Sequence, residues 1–304
     1  MTPTPPPAAT KIRARLGASY PFASHYLDLG GLAYHFLDEG QGAPVVMVHG
    51  NPTWSFYFRH LIVGLRQDFR CIAPDHIGCG LSDKPGNAAY PYTLDRRVAD
   101  FGRLMDHLEL TDIHLVVHDW GGAIGLAWTM DHLERVASLT ITNTAGFFPP
   151  GGKGIPLRLR LIRNLVPFAV PAVLGFNAFA RGAVWMAPRK RLSAEARRGL
   201  LAPYDTPRHR LATLRFVQDI PLFPGDPAHA TVDRVSTQLE RLRERPLLLL
   251  WGKHDFVFDT DYFEEWRRRF PKAPARLFDN AGHYLFEDRP RCCTALIRSF
   301  LQTI

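Results

Sequence analysis

Cysteine is scarce, at four residues in 304. Cys292 and Cys293 are adjacent, and no pair has metal-ligand spacing. Neither a disulfide framework nor a cysteine-bound metal is therefore expected, and a reducing cytoplasm is the default compartment. Long apolar runs are missing as well: nothing approaches the roughly eighteen apolar residues that a transmembrane helix needs. The opening MTPTPPPAATKIRARLG has prolines and basic residues but no apolar centre, so residues 1–22 read as a disordered tail rather than a secretion signal. Acidic residues are in deficit, 29 against 37 Lys and Arg, for a net charge of +8. The deficit is local. Between Pro150 and Arg245, 17 Lys and Arg stand against 7 Asp and Glu. Such a patch suits nucleic acid, an anionic surface or an acidic partner. No nucleic-acid-binding motif accompanies it, so solvated arginine-rich helix faces are the first reading and nucleic acid is not an expected partner.

What the chain does have is regular alternation. A hairpin is expected around Gly30 and Gly31, and APVVMVHG (43–50), FRCIAPD (69–75), IHLVVHD (113–119) and VASLTITN (136–143) read as buried strands. LDRRVADFGRLMDHLEL (94–110) and WGGAIGLAWTMDHL read as helices. From about Phe147 to Thr237 the alternation gives way to short helical patterns rich in Pro, Arg and aromatics. It resumes at RPLLLLWGKHD (245–255), followed by a helix over 261–270, a strand in ARLFDNAGH (275–283) and a closing helix. Repeated strand–helix–strand units predict an α/β fold with a mostly parallel sheet covered on both faces. The core is then 23–146 and 238–304, with 147–237 a helical cap inserted after the sixth strand, over the strand ends where ligands bind.

Three residues end predicted strands in a telling order: Asp119 in VVHDWGG, Asp255 in WGKHD and His283 in NAGHYLFED. Alone, an Asp after a strand reads as a helix cap. In the order nucleophile, acid, histidine, with Gly121 and Gly122 behind the first, they form the pattern of an α/β-hydrolase triad with a carboxylate where G-x-S-x-G has serine. The first glycine of that pattern is replaced by Val117. A carboxylate is already ionised at neutral pH and attacks an alkyl or acyl carbon without a base. His283, oriented by Asp255, would deprotonate a water that cleaves the resulting ester. HGNPTWSF (49–56) follows another strand. Asn51 and Trp120 would supply oxyanion-hole backbone N–H groups, and their amide and indole N–H groups would hold a departing anion. The competing reading makes Asn51 a turn residue and Trp120 packing. His118 reads mainly as elbow packing.

HGNPTW, VVHDWGG and the Asp…Asp…His order resemble the haloalkane dehalogenase branch of the α/β-hydrolases, over nearly all of the chain after residue 20. NTAGFF (143–148) has no acid where one subgroup carries it, and Asn51 replaces the tryptophan of another. The set Asp119, His283, Asp255, Asn51 and Trp120 resembles the third subgroup. PDHIGCGLSDKP (74–85), NAFARGAVWMA (177–187), LAPYDTPRHR (201–210), RFVQDIPLFP (215–224) and WGKHDFVFD (251–259) are more similar still to its β-lactone decarboxylases of bacterial long-chain olefin biosynthesis. The resemblance implies a hydrophobic small-molecule substrate, no cofactor or metal, and, as protein partners, β-lactone synthetase and the other olefin-forming enzymes, with the basic cap surface one contact. It implies attack of Asp119 on a β-lactone ring carbon, release of a carboxylate to Asn51 and Trp120, and loss of carbon dioxide. Attack at the acyl carbon is the other route, and the sequence does not choose. Haloalkane dehalogenase and epoxide hydrolase are the alternative activities. The latter needs phenol donors from the cap, which holds only Tyr204. Leu165, Phe168, Leu174, Phe176, Phe179, Trp185, Phe216 and Phe223 are candidates to line an alkyl channel, or equally to form the core of the cap.

Overall fold

The computed structural model describes residues 3–304. Eight strands make one sheet in the order β1-β2-β4-β3-β5-β6-β7-β8. β1 (His25–Asp28) and β2 (Ala33–Glu39) form the hairpin, with Gly30 and Gly31 both at positive φ in its turn. β2 runs antiparallel to β4 (Arg70–Pro74). From β4 onward, β3 (Pro44–Val48), β5 (Ile113–His118), β6 (Val136–Thr142), β7 (Leu247–Gly252) and β8 (Ala275–Phe278) pair in parallel.

The period of two along each strand sorts its side chains between two apolar layers. Leu115, Val117, Leu249 and Trp251 point to one layer, and Val116, Leu248 and Leu250 to the other. The first layer is closed by α3 (Leu94–His107) and α4 (Trp120–Asp131), and the second by α2 (Arg59–Leu65) and α13 (Pro290–Leu301). α3 starts where Thr93 caps the Arg96 N–H and buries Phe101, Leu104 and Met105 on one face. α4 has almost no polar side, as befits a helix covered all round. α11 (Thr260–Arg269) and the single turn α12 (Leu285–Asp288) complete the core helices.

The segment expected to be a disordered tail is structured over most of its length. α1 (Pro7–Leu16) turns Ala9, Ile12 and Leu16 into the second layer, followed by Tyr20 and Phe22. The Tyr20 and Ser55 hydroxyls are 2.6 Å apart, and Arg13 donates to the Phe22 carbonyl at 2.7 Å. The apolar residues sit three and four apart behind a proline at the first helical position, a short amphipathic signal masked by the surrounding prolines and arginines. Residues 1 and 2 of that expected tail lie outside the described residues.

Between β6 and β7 lie α5 (Leu157–Asn164), α6 (Val166–Val170), a π turn (Pro171–Gly175), α7 (Ala178–Met186), α8 (Ala194–Leu201), α9 (Leu211–Gln218) and α10 (His229–Gln238). The expected cap boundary at 237 falls inside α10. That helix packs on α4, with Val235 in the first layer and Arg234 paired to Asp131 at 2.8 Å, while Val232 reaches the cavity wall. Among the described residues no single helix is long and apolar enough to cross a membrane.

Candidate active site

β5 ends at His118 and α4 begins at Trp120, so Asp119 alone makes the turn. It does so at φ 53°, ψ −128°, a conformation unusual for a residue with a side chain. The turn is tight enough that a Cβ on Gly121 would lie 1.9 Å from the Val48 carbonyl oxygen, and one on Gly122 would lie 1.9 Å from Thr144 Oγ1. These glycines let α4 start directly against β3 and the end of β6. Val117 in place of the first elbow glycine is accommodated as an ordinary strand residue in the first layer. Thr144 donates to the Asp119 carbonyl at 2.5 Å and braces the turn from the β6 side.

The two oxygens of Asp119 have different surroundings. Oδ1 accepts the Asn51 backbone N–H at 2.6 Å. Oδ2 lies 3.7 Å from His283 Nε2. Burial raises the pKa of the Asp119 carboxyl above its ordinary value, opposed by the charge of His283 and by the Asn51 and Trp120 N–H groups. The other nitrogen of His283, Nδ1, bonds Asp255 Oδ2 at 2.7 Å. Burial pulls the His283 pKa down, but the Asp255 and Asp119 carboxylates outweigh it and the net shift is upward. The three residues predicted from strand ends thus meet in one chain of contacts.

Asp255 is itself fully tied. Its Oδ1 accepts the Val257 and Phe258 N–H groups at 2.7 and 3.0 Å, and its Oδ2 also accepts the Asn143 amide at 2.8 Å. Asn143 sits just past β6 at positive φ and accepts the Gly252 N–H at 3.0 Å. Sequence reading noticed this position only for lacking an acid. The structure shows that it joins the ends of β6 and β7 and orients Asp255. His118 contributes from below: its Nε2 lies 2.8 Å from the His283 carbonyl oxygen, which fixes the donor there and leaves Nδ1 without a partner. Burial, then the charge of His283, keeps its pKa well below the ordinary histidine value. His118 is therefore a neutral support for the His283 backbone.

Above Asp119 is a cavity of about 310 Å³, walled by side chains such as Phe147, Leu159, Ile162, Val173, Phe179 and Phe258. Asn51, Asp119, Trp120 and His283 are among its polar lining residues, with Arg158, Tyr262 and Tyr284. The Asn51 amide uses one N–H on the Thr213 carbonyl of α9, at 3.0 Å, and keeps a second. Among the described residues no acceptor bonds the Trp120 indole, whose ring rests on Phe216 with centroids 5.4 Å apart. Two residues lining the cavity thus keep N–H donors without a partner among the described residues. Of the eight cap side chains considered for an alkyl channel, only Phe179 lines the cavity. Leu165, Phe168, Phe176, Trp185 and Phe223 are exposed, and the cavity wall is made instead by residues such as Leu159, Ile162 and Val173. The Tyr204 hydroxyl donates to the Thr53 carbonyl at 3.4 Å, outside the cavity, so no cap phenol is placed to protonate an epoxide. Among the described residues no three His, Cys, Asp or Glu side chains form a metal set.

This sheet order, elbow and helical insertion define an α/β-hydrolase, and the model of the alpha/beta hydrolase fold matches residues 43–290: the chain belongs to that family. Its relatives narrow the class. Cis-3-alkyl-4-alkyloxetan-2-one decarboxylase of Shewanella oneidensis is 45% identical over 270 residues, 88% of this chain and 85% of the relative. The protein of the same name from Xanthomonas campestris pv. campestris is 43% identical over 93% of this chain and 97% of the relative. Among solved structures, haloalkane dehalogenase DatA of Agrobacterium tumefaciens superposes with a TM-score of 0.81 at 26% identity, covering 96% of this chain and 99% of that one.

Proposed function

We propose that the protein is a cis-β-lactone decarboxylase, turning a cis-3,4-dialkyl oxetan-2-one into a cis-alkene and carbon dioxide. Its similarity to two decarboxylases of that name over most of its length carries the reading, and the site chemistry fits. In the first step Asp119 Oδ2 attacks ring carbon C4 with inversion. The C4–O bond breaks and its electron pair leaves on the ring oxygen, giving an alkyl ester of Asp119 and a free carboxylate on C3. The amide of Asn51 and the indole of Trp120 receive that carboxylate. In the second step the C3–carboxylate bond breaks, its electrons form the C3–C4 double bond, and C4–Oδ2 breaks to return the Asp119 carboxylate. Anti elimination after inversion converts a cis lactone into a cis alkene. Attack at C4 is favoured over the acyl carbon because the Asn51 backbone N–H, which a carbonyl oxyanion would use, is already taken by Oδ1. His283, held by Asp255, favours the returning carboxylate through its positive charge. We extend the proposal to the protein partner: an enzyme that closes β-lactone rings must supply so insoluble a substrate.

A second reading has a specific observation behind it. The 3.7 Å between His283 Nε2 and Asp119 Oδ2 leaves this pair beside the ester, where a histidine would activate water, as a haloalkane dehalogenase requires. A paired assay separates the two. Purified protein is given a cis-3,4-dialkyl β-lactone, with alkene read by gas chromatography, and separately a bromoalkane, with halide read. The expected result is alkene without halide, lost by at least about 10⁴-fold in Asp119→Asn. Halide without alkene, or full alkene turnover by the variant, overturns the proposal.

A further inference from the structure

The layer formed by α5, α6, the π turn and α7 is apolar on both sides. Leu159, Ile162, Val173 and Phe179 face the cavity. On the outside, Leu157, Phe168, Phe176 and Trp185 are 68, 74, 76 and 57% exposed, with Leu161, Leu165, Val166 and Met186 also exposed. The four segments pack in succession, which puts these exposed side chains on neighbouring segments of the cap. Soluble monomers seldom leave large contiguous apolar areas in water, and those that persist mark interaction surfaces.

Charge selects the occupant. From Phe147 to Tyr204 the chain has ten Lys and Arg and one acid, Glu195. Lys153 pairs with Asp259 and Asp261, and Arg163 with Asp226. Arg158, Arg160, Arg181, Arg189, Lys190 and Arg191 are exposed and have no carboxylate partner among the described residues. Arg191 and Arg197 lie over the Trp185 ring, 5.4 and 4.9 Å from its centroid. Aromatic and aliphatic anchors among unpaired cations match an anionic bilayer interface, where hydrocarbon takes the anchors and phosphate the cations. Position agrees: Arg158, Met186 and Phe256 both line the cavity and are exposed, so the cavity opens at the edge of this face.

We infer that the outer face of α5–α7 docks the protein onto an anionic lipid bilayer, lying in the interface without crossing it. Crossing is excluded by packing, since Ala169, Val173, Ala180 and Val184 of the same segments are buried in the protein. The docking stands on the cap surface by itself; passage of a lactone from bilayer to cavity rests on the decarboxylase reading. The test is flotation of the full-length protein, without substrate, on vesicles of phosphatidylcholine alone or with about a quarter phosphatidylglycerol. The wild type is expected to float with the anionic vesicles. The variant Phe168→Ser/Phe176→Ser/Trp185→Ser, with unchanged circular dichroism and Tm, is expected to bind about tenfold less. Three outcomes overturn the inference: a wild type that floats with neither vesicle, undiminished flotation of the variant, and an oligomer seen by ultracentrifugation that the variant dissolves, which gives the face to a second copy. Because no lactone is present, failure here leaves the decarboxylase proposal standing, and failure of the paired assay leaves this one standing.

Discussion

Asp119 and His283 sit in the same pocket, and burial raises the pKa of one while two carboxylates raise that of the other. These shifts separate the candidate reactions by pH. A hydrolytic cycle needs neutral His283, so its rate falls as pH drops through a histidine pKa displaced above the ordinary 6.5. Elimination needs an ionised Asp119 and no neutral His283, whose protonated form favours the return of the carboxylate. Alkene formation is expected to continue below the His283 transition and to fall only in the acid range where Asp119, displaced above 3.8, takes up a proton. The check is kcat/KM for alkene across roughly pH 4–9. A single acid limb at the histidine transition would place a neutral His283 in the rate-limiting step. At this scale the sequence showed the residues that stand at strand ends in a fixed order, Asp119, Asp255 and His283. It did not show Asn143, Thr144 or Thr213. Their contributions are an amide, a hydroxyl and a carbonyl delivered across the fold, and nothing local in NTAGFF or RLATLRF marks them.

Among the elements, α1 has the most direct consequence for stability. Ile12 is 2% exposed and packs in the layer that holds Trp54, Phe56 and Leu61. Ile12→Ala is expected to cost about 2–4 kcal/mol, read as a lower urea midpoint at unchanged slope. A disordered segment there would give no change. The strands were legible because apolar stretches such as VVMV in β3 and LLLLW in β7 stand between turn signals, and β5 and β7 are buried on every residue. α1 was not, because three core contacts in ten residues are too few to stand out among prolines and arginines. α10 was assigned to the cap for a related reason. Its sequence HATVDRVSTQ gives its apolar face no address, and only its packing on α4 shows which layer it joins.

For the molecule as a whole, the sheet supplies rigid strand ends and the insertion supplies a wall. β3, β5, β6 and β7 end together beneath the cavity, which is why residues as distant in sequence as Asn51, Asp119, Asn143 and Asp255 meet. That convergence follows from a parallel sheet and was readable from the alternation alone. The wall was not readable in the same way. Composition showed a helical insertion rich in aromatics and arginine, but it does not say which aromatics turn inward, and most of those considered turn outward. The same helices present apolar side chains to the cavity and to the surroundings.

A carboxylate nucleophile at the elbow also gives the reaction an isotopic memory. Water that attacks the ester at Cγ leaves one of its own oxygens on the aspartate and sends the original away in the alcohol. Elimination breaks the bond on the alkyl side, and the aspartate recovers the atom it used. After many turnovers of lactone in ¹⁸O-water, the peptide bearing Asp119 is therefore expected to keep its natural mass, and a heavier carboxylate would record a hydrolytic history.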